Sequence, residues 1–239
     1  MTFDFWQTLI ADTPESGAAA HALRLSGVGD ALHAAGQPYD PAALATADVR
    51  ALARLNGIWD QNRDVTPAEQ VGVFLEALDP GLPARLAPAE RVTVEHAYAV
   101  PVLTHRPVVE PGAVEAIRTL AGRGLTLAII SNTGRTPGSV LRQLLEQASI
   151  LGRFHVFSFS DEVGFRKPDA RIFRRTLEAA RCEPAAAVHV GDNPVADVAG
   201  ARAVGMRALH YVPDGHPADA ADGGVRHLGD LPDLLARLG

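Results

Sequence analysis

Leu125-Thr-Leu-Ala-Ile-Ile130-Ser131-Asn132-Thr133 is the stretch that decides the fold. Leu125–Ile130 is almost wholly apolar, as expected for a strand covered on both faces of a parallel sheet, and it breaks off in a hydroxyl and an amide. On its N-terminal side Gly112–Arg123 has helical spacing and is closed by Gly124. On its C-terminal side Ser139–Gln147 is again helical. The alternation continues with a strand at Phe154–Phe159 and a helix at Asp169–Arg181, just after Pro168. A strand at Ala186–Val190, a helix at Pro194–Val204 ended by Gly205, a strand at Met206–Tyr211 and a last helix at Leu231–Leu238 follow. Asp214–Gly224, rich in Pro, Gly and Asp, reads as a loop. This pattern predicts an α/β fold with a doubly wound parallel sheet.

Upstream, residues 2–6 predict one more strand, with Phe3 and Phe5 flanking Asp4 and with Thr8 following. From about residue 12 to 107 the character changes. Ala, Leu, Arg and Asp dominate, with helical spacing at Val49–Trp59, Ala68–Leu78 and Glu90–Val100 and no alternation of the β type. Pro67 suits a first helical turn after Thr66, and Pro80, Gly81 and Pro83 interrupt the next stretch. The expectation is an all-helical insert of three to five helices.

Composition narrows the function classes. With 47% hydrophobic residues the 239-residue chain can bury an ample core. Its net charge of −6, with acids and bases interspersed, argues against a general nucleic-acid binder. No apolar run approaches the ~20 residues that span a bilayer, and no basic segment followed by an apolar one marks a secretory signal. A cytoplasmic location is therefore expected. Cys182 is the only cysteine, which excludes an internal disulfide and a cysteine zinc site. Of 22 basic side chains, one alone is lysine, Lys167. A GC-rich genome accounts for the arginines; it does not account for where the last lysine stands. A compact point charge is what a tight site wants.

Every strand of a parallel sheet ends on the same edge, where open α/β folds hold ligands. Four segments bring polar groups there: Asp4 and Thr8; Ser131 and Asn132; Lys167, at the start of a helix; and Asp192, with Asp197 five residues later. Each alone has an ordinary explanation as a turn or cap residue. Together, in this order, they resemble the haloacid dehalogenase-like (HAD) hydrolases. Asp4-Phe-Trp-Gln-Thr8 is similar to the first motif of that family, Ile130-Ser131-Asn132 to the second, Lys167-Pro168-Asp169 to the third, and Gly191-Asp192-Asn193-Pro-Val-Ala-Asp197 to the fourth.

The resemblance implies a Rossmann-like core over 1–11 and 108–239 and a helical cap over 12–107. It implies Asp4 as the nucleophile, forming an aspartyl-phosphate that water hydrolyses. It implies Mg²⁺ held by Asp4, Asp192 and the backbone carbonyl of Trp6, with Asp197 behind them or reaching the metal through water. Lys167 then neutralises charge beside the nucleophile, and Thr8 and Ser131, with Asn132 assisting, hydrogen-bond phosphoryl oxygens. The implied substrate is a small phosphorylated metabolite. No nucleic-acid or membrane partner is expected, and the chain is expected as a monomer or homodimer.

One position departs from the family pattern. Most of its phosphatases carry a second Asp two residues after the nucleophile, to protonate the leaving group; here that residue is Trp6. Such general acid–base help is worth ~10²–10⁴-fold. Three readings stay open: a phosphohydrolase suited to good leaving groups, a metal-independent 2-haloacid dehalogenase-like enzyme, or a binding or regulatory relative with weak turnover. Asp192 weighs against the second, because an extra carboxylate beside Asp4 blunts it unless a cation is present. A cap arginine that binds halide would favour it, with Arg24, Arg50, Arg54 and Arg63 as candidates. A phosphonate-cleaving mechanism through a cap lysine is excluded, since 12–107 contains no lysine. Trp6 reads as a packed aromatic or as a wall against the substrate. Trp59 and His21, His33, His96 and His105 lack metal-ligand spacing, and His189 reads as a satisfied core residue.

Overall fold

A computed structural model describes residues 1–238. Its strands are β1 (Thr2–Phe3), β2 (Ile10–Ala11), β3 (Val108–Val109), β4 (Ala128–Ser131), β5 (Val156–Phe159), β6 (Val188–Gly191), β7 (Arg207–Tyr211) and β8 (Gly223–Val225). Six of them form one parallel sheet in the order β5-β4-β1-β6-β7-β8. The chain builds outward from β1 through β4 and β5, then returns to lay β6, β7 and β8 on the other side. The reversal beside β1 makes the crevice in which such sheets hold ligands.

Neighbouring residues of a strand face opposite sides, and the apolar runs use both. Ile129 packs with Phe3, Phe5, Ile117 and Leu141 on one face of the sheet. Ile130 packs with Phe173, Val198 and Met206 on the other. In β7, Leu209 joins the first cluster and Ala208 the second. This two-sided burial is why Leu125–Ile130 shows no polar alternation.

Between β2 and β3 lie four long helices, Pro14–Ala34, Pro41–Trp59, Pro67–Leu78 and Pro88–Ala99, and two single turns, Leu82–Arg85 and Pro101–Thr104. They bury a cluster of their own, including Val28, Leu44, Phe74 and Tyr98. Each long helix has proline in its first turn, where the missing N–H costs nothing. Thr66 and Glu69 cap the third reciprocally, with Thr66 N–H donating to Glu69 Oε2 at 2.8 Å. The strands on either side of this block pair antiparallel, Ile10 with Val109 and Ala11 with Val108, so its two connections run side by side.

The insert carries six helices, two of them single turns, against an expected three to five, and three further differences shape the core. The first strand is two residues long rather than spanning 2–6. Phe5 N–H turns to Asp4 Oδ1 (2.7 Å) and Gln7 takes φ +56°, which bends the chain out of the sheet. The helix after β6 begins as a wide π turn, Pro194–Ala199, because Asn193 Oδ1 caps Val195 and Ala196 and Val198 N–H reaches back to the Asn193 carbonyl. The loop at 214–224 gives its last residues to an edge strand, β8, that Gly223-Gly224 does not advertise.

Gly112 opens the helix Ala113–Gly122 at φ +78°, and a Cβ there would stand 2.5 Å from the Gly229 nitrogen. Gly124, at φ +80°, faces open space. Gly112→Ala is expected to cost about 2 kcal/mol or more, from strained backbone plus overpacking, and Gly124→Ala about 1 kcal/mol. Urea denaturation of both variants checks this; equal losses would show that crowding against Gly229 contributes nothing.

Candidate active site

Asp4 leaves β1 with its N–H donating to the Val190 carbonyl of β6 (2.9 Å), which fixes it at the edge of the sheet. Its Oδ1 accepts from Phe5 N–H (2.7 Å) and lies 2.7 Å from Lys167 Nζ. Lys167 is buried, and its Nζ also reaches Asp197 Oδ1 at 2.5 Å. Asp197 is held from two further directions, by His189 Nε2 (3.0 Å) and by Asn193 N–H (2.9 Å). With Nε2–H donating to Asp197, His189 Nδ1 accepts from the Thr2 hydroxyl at 2.8 Å. Gly191 is glycine because a Cβ there would overlap the Asp197 carboxylate.

Asp192 follows β6. His210 Nε2 bonds its backbone carbonyl at 2.7 Å, and Ala218 N–H donates to His210 Nδ1 at 2.9 Å, so the ring is the Nε2–H tautomer. Carboxylate oxygens of Asp4, Asp192 and Asp197 all lie within 4.8 Å of one another. Burial pushes the Asp4 carboxyl up to about 7, opposed by Lys167 and reinforced by the charges of Asp197 and Asp192. Burial also raises Asp192, with Asp197's charge adding to it. Asp197 goes the other way: against its burial, the Lys167 charge and the His189 hydrogen bond hold it well below the usual carboxylate range. Lys167 is raised, its two carboxylate partners outweighing desolvation.

Asp197 is thus an anion already matched by Lys167 and His189, and its charge adds to the upward shift of both Asp4 and Asp192. An oxygen-only donor set with two carboxylates raised by burial and by a third suits a hard divalent cation, which would reverse the penalty on both. Asp4 and Asp192 are the residues that fit it.

Ser131, at the end of β4, is buried, and its Oγ has no hydrogen-bond partner among the described residues. An orphaned hydroxyl of this kind costs free energy until something enters to pair with it. Thr8 is buried nearby, its Oγ1 only 3.5 Å from Asp192 Oδ1. Both suit an incoming anion's oxygens.

Asn132 is tied to the segment that carries the lysine. Its Nδ2 donates to the Lys167 carbonyl (3.0 Å) and its Oδ1 accepts from Lys167 N–H (2.8 Å). Both amide atoms bond the lysine backbone, so Asn132 positions Lys167. Trp6 is partly buried and packs edge-on to Phe5, ring centroids 5.1 Å apart, in agreement with a packed aromatic.

Sequence reasoning did not find His210, nor the contacts that tie the helical block to the loops of the site. Asp48 pairs with Arg135, Gln70 Nε2 donates to the Gly134 carbonyl (3.0 Å), and buried Asp64 receives Arg166 Nη1 (2.7 Å) and Ser160 Oγ (2.5 Å). The one available signal was Gly134-Arg135 following closely on Asn132. Nothing in the sequence names their partners 64–102 residues away.

A parallel sheet with a carboxylate, a lysine and a second carboxylate at its switch point defines an α/β protein with an acidic site where such sheets hold ligands. A family model described as haloacid dehalogenase-like hydrolase matches residues 1–205, and the chain belongs to that family. It is 35% identical over 165 residues to the phosphoserine phosphatase of Thermus thermophilus, covering 68% of this chain and 62% of that one. It is 41% identical over 101 residues to haloacid dehalogenase-like hydrolase domain-containing protein 3 of Homo sapiens, covering 42% of this chain and 39% of that one. The match to the human relative therefore spans less than half of its length. Among solved structures, a 2-haloacid dehalogenase from Pseudomonas syringae pv. Tomato aligns over 100% of this chain and 98% of its own, with TM-score 0.73 and 25% identity. No helix among the described residues is long and apolar enough to cross a membrane.

Removing the side chain of Asn132 frees the Lys167 backbone. A displacement on the order of 1 Å near the reacting groups costs about 10²-fold, so Asn132→Ala is expected to lower kcat by about that factor with KM little changed. Steady-state kinetics check it; a rise in KM at constant kcat would return Asn132 to substrate binding.

Proposed function

We propose that the chain is a Mg²⁺-dependent phosphohydrolase acting on a small phosphorylated metabolite, with 1–11 and 108–239 as its core and 12–107 as a helical cap over the site. The observation that carries this reading is the cluster of Asp4, Asp192 and Asp197 carboxylate oxygens within 4.8 Å of one another, with Lys167 reaching Asp4 and Asp197. A metal-free dehalogenase gains nothing from Asp192. The relatives named phosphoserine phosphatase and glyceraldehyde 3-phosphate phosphatase support the same substrate class.

Asp4 attacks phosphorus through a carboxylate oxygen, the bond from phosphorus to the leaving oxygen breaks, and an aspartyl-phosphate remains. Water then attacks that phosphorus, releasing inorganic phosphate and restoring the carboxylate. Asp4, Asp192 and the Trp6 carbonyl would hold Mg²⁺, which would supply positive charge to screen one anion from the other. Lys167 orients Asp4 and opposes its protonation, and Asp197 in turn fixes Lys167. Ser131 and Thr8 donate to phosphoryl oxygens. Trp6 cannot protonate the leaving oxygen, so leaving groups that depart as stable anions are favoured.

A second reading, a 2-haloacid dehalogenase-like activity, is favoured by Trp6 itself: a halide leaves without a proton. Weak turnover in a binding or regulatory role is the third.

Acetyl phosphate, glycerol phosphate and 2-chloropropionate, each assayed with Mg²⁺ and with chelator, separate them. Mg²⁺-dependent phosphate release is expected, with acetyl phosphate faster than the alkyl ester by ~10²-fold or more, and none from Asp4→Asn. Chelator-insensitive chloride release would overturn the phosphohydrolase reading in favour of the second; silence on all three would favour the third. Lys167→Arg keeps the charge but not its compact form, and is expected to lose at least about 10²-fold in kcat/KM. Wild-type kinetics in that variant would remove Lys167 from the mechanism.

A further inference from the structure

The carboxylates at the sheet edge are held unequally. Asp197 is gripped by Lys167, His189 and the Asn193 N–H, and Asp4 by Lys167 and the Phe5 N–H. Besides its own N–H, the Asp192 carboxylate meets the Thr8 hydroxyl at 3.5 Å, long for a bond between oxygens. A bond between Asp192 and Asp4 requires one of the two to keep its proton. Asp192 also lies one residue beyond Gly191, the last paired position of β6. The firm hold on Asp192 is on its backbone, where His210 Nε2–H donates to the carbonyl at 2.7 Å.

His210 is itself set by the chain that follows it. In the sheet it stands opposite Gly191 of β6 on one side and Gly224 of β8 on the other, so neither neighbour has a side chain beside it. A Cβ on Gly224 would stand 3.0 Å from Pro217 Cγ, so the glycine lets the loop 212–222 fold down onto the sheet. The next residue, Ala218, then donates its N–H to His210 Nδ1 at 2.9 Å. The loop is closed at its far end by Asp222, whose carboxylate accepts from Ala208 N–H (2.8 Å) and from Arg202 Nη1 (2.6 Å). His210 is buried, and each ring nitrogen has one partner. Turning the ring over would forfeit both bonds at a place where water does not replace them.

We propose that His210 is a positioning residue for Asp192: it fixes the backbone from which the carboxylate reaches toward Asp4, and the loop 212–222 holds it there through Ala218. This role rests on the reading of Asp4 and Asp192 as the metal-holding pair, and it extends the site to the loop after β7. Groups that orient a metal ligand without touching the metal are worth about 10–100-fold in metal affinity.

Mn²⁺ binding, followed by the paramagnetic resonance signal of the free ion with no substrate present, tests it. Wild type is expected to bind and Asp192→Asn to bind far more weakly. His210→Phe keeps a ring without its N–H and is expected to weaken binding at least about tenfold. His210→Gln keeps an N–H donor in place of Nε2–H and is expected to recover most of that loss. Thermal unfolding separates a merely structural role, which lowers Tm and leaves the Mn²⁺ affinity of the folded protein unchanged. Where His210→Phe does not fold, Ala218→Pro decides: it removes the N–H that holds the ring and is expected to weaken Mn²⁺ binding in the same direction. Undiminished binding in the deciding variant, or equal losses in His210→Gln and His210→Phe, overturns the role of His210 alone. No Mn²⁺ binding by wild type, or undiminished binding in Asp192→Asn, removes the metal reading and this role with it. Mn²⁺ binding that depends on His210, without turnover of any phosphate ester, leaves the role standing and removes the phosphohydrolase reading.

Discussion

The site depends on one ammonium group lodged between two carboxylates. Lys167 Nζ touches Asp4 and Asp197 at 2.7 and 2.5 Å, in a position almost closed to water. Burying such charges is expensive, and the cost is recovered only when every partner is also satisfied. The surroundings meet that condition. Asn132 grips the lysine backbone at both amide atoms, His189 and Asn193 complete Asp197, and Phe5 N–H supports Asp4. These groups sit on or beside three different strands, so the ion network and the parallel sheet require one another. Shift β1, β4 or β6 in register and the lysine loses a partner in a place where water cannot replace it.

That network also explains why three carboxylates in one place behave differently. Asp197 has taken the larger share of positive charge and stays ionised. Asp4 must divide Lys167 with it while facing Asp192, and is left only partly ionised at neutral pH. A cation entering between Asp4 and Asp192 would offset the charges that raise Asp4 and restore its carboxylate.

Legibility in the sequence followed how strongly each element marks itself. β4 announces itself because both its faces are buried, and the helices Ala113–Gly122 and Ala170–Ala179 because glycine, proline and apolar spacing agree. β8 was hidden because Gly223 and Gly224 carry no side chains to show a period. Within 12–107 the helical character was readable but the count was not: two of the six helices are single turns between prolines. Asp4, Ser131, Lys167 and Asp192 could be read from strand ends and a shared motif pattern. The role of Asn132 could not, since its two bonds go to the backbone of a residue 35 positions away. His210 was invisible for the same reason: it acts on the Asp192 carbonyl from β7, and no spacing rule links the two.

The helical block touches the core at the loops that matter. Asp48 and Gln70 engage Arg135 and Gly134, just past Ser131 and Asn132; Asp64 engages Ser160 and Arg166, just before Lys167. Arg166 further stacks over the Trp59 ring at 4.6 Å, its charge spread across a face that the block supplies. Three separate ties thus end within a few residues of the orphaned hydroxyl and the buried lysine, while the two chain connections run together through β2 and β3. Swinging the block away about those connections must break the Asp64 ion pair. It would leave that buried carboxylate without its arginine. The position of the helices and the arrangement of Ser131 and Lys167 are therefore one energetic problem: whatever holds the block down also holds these two residues where they stand.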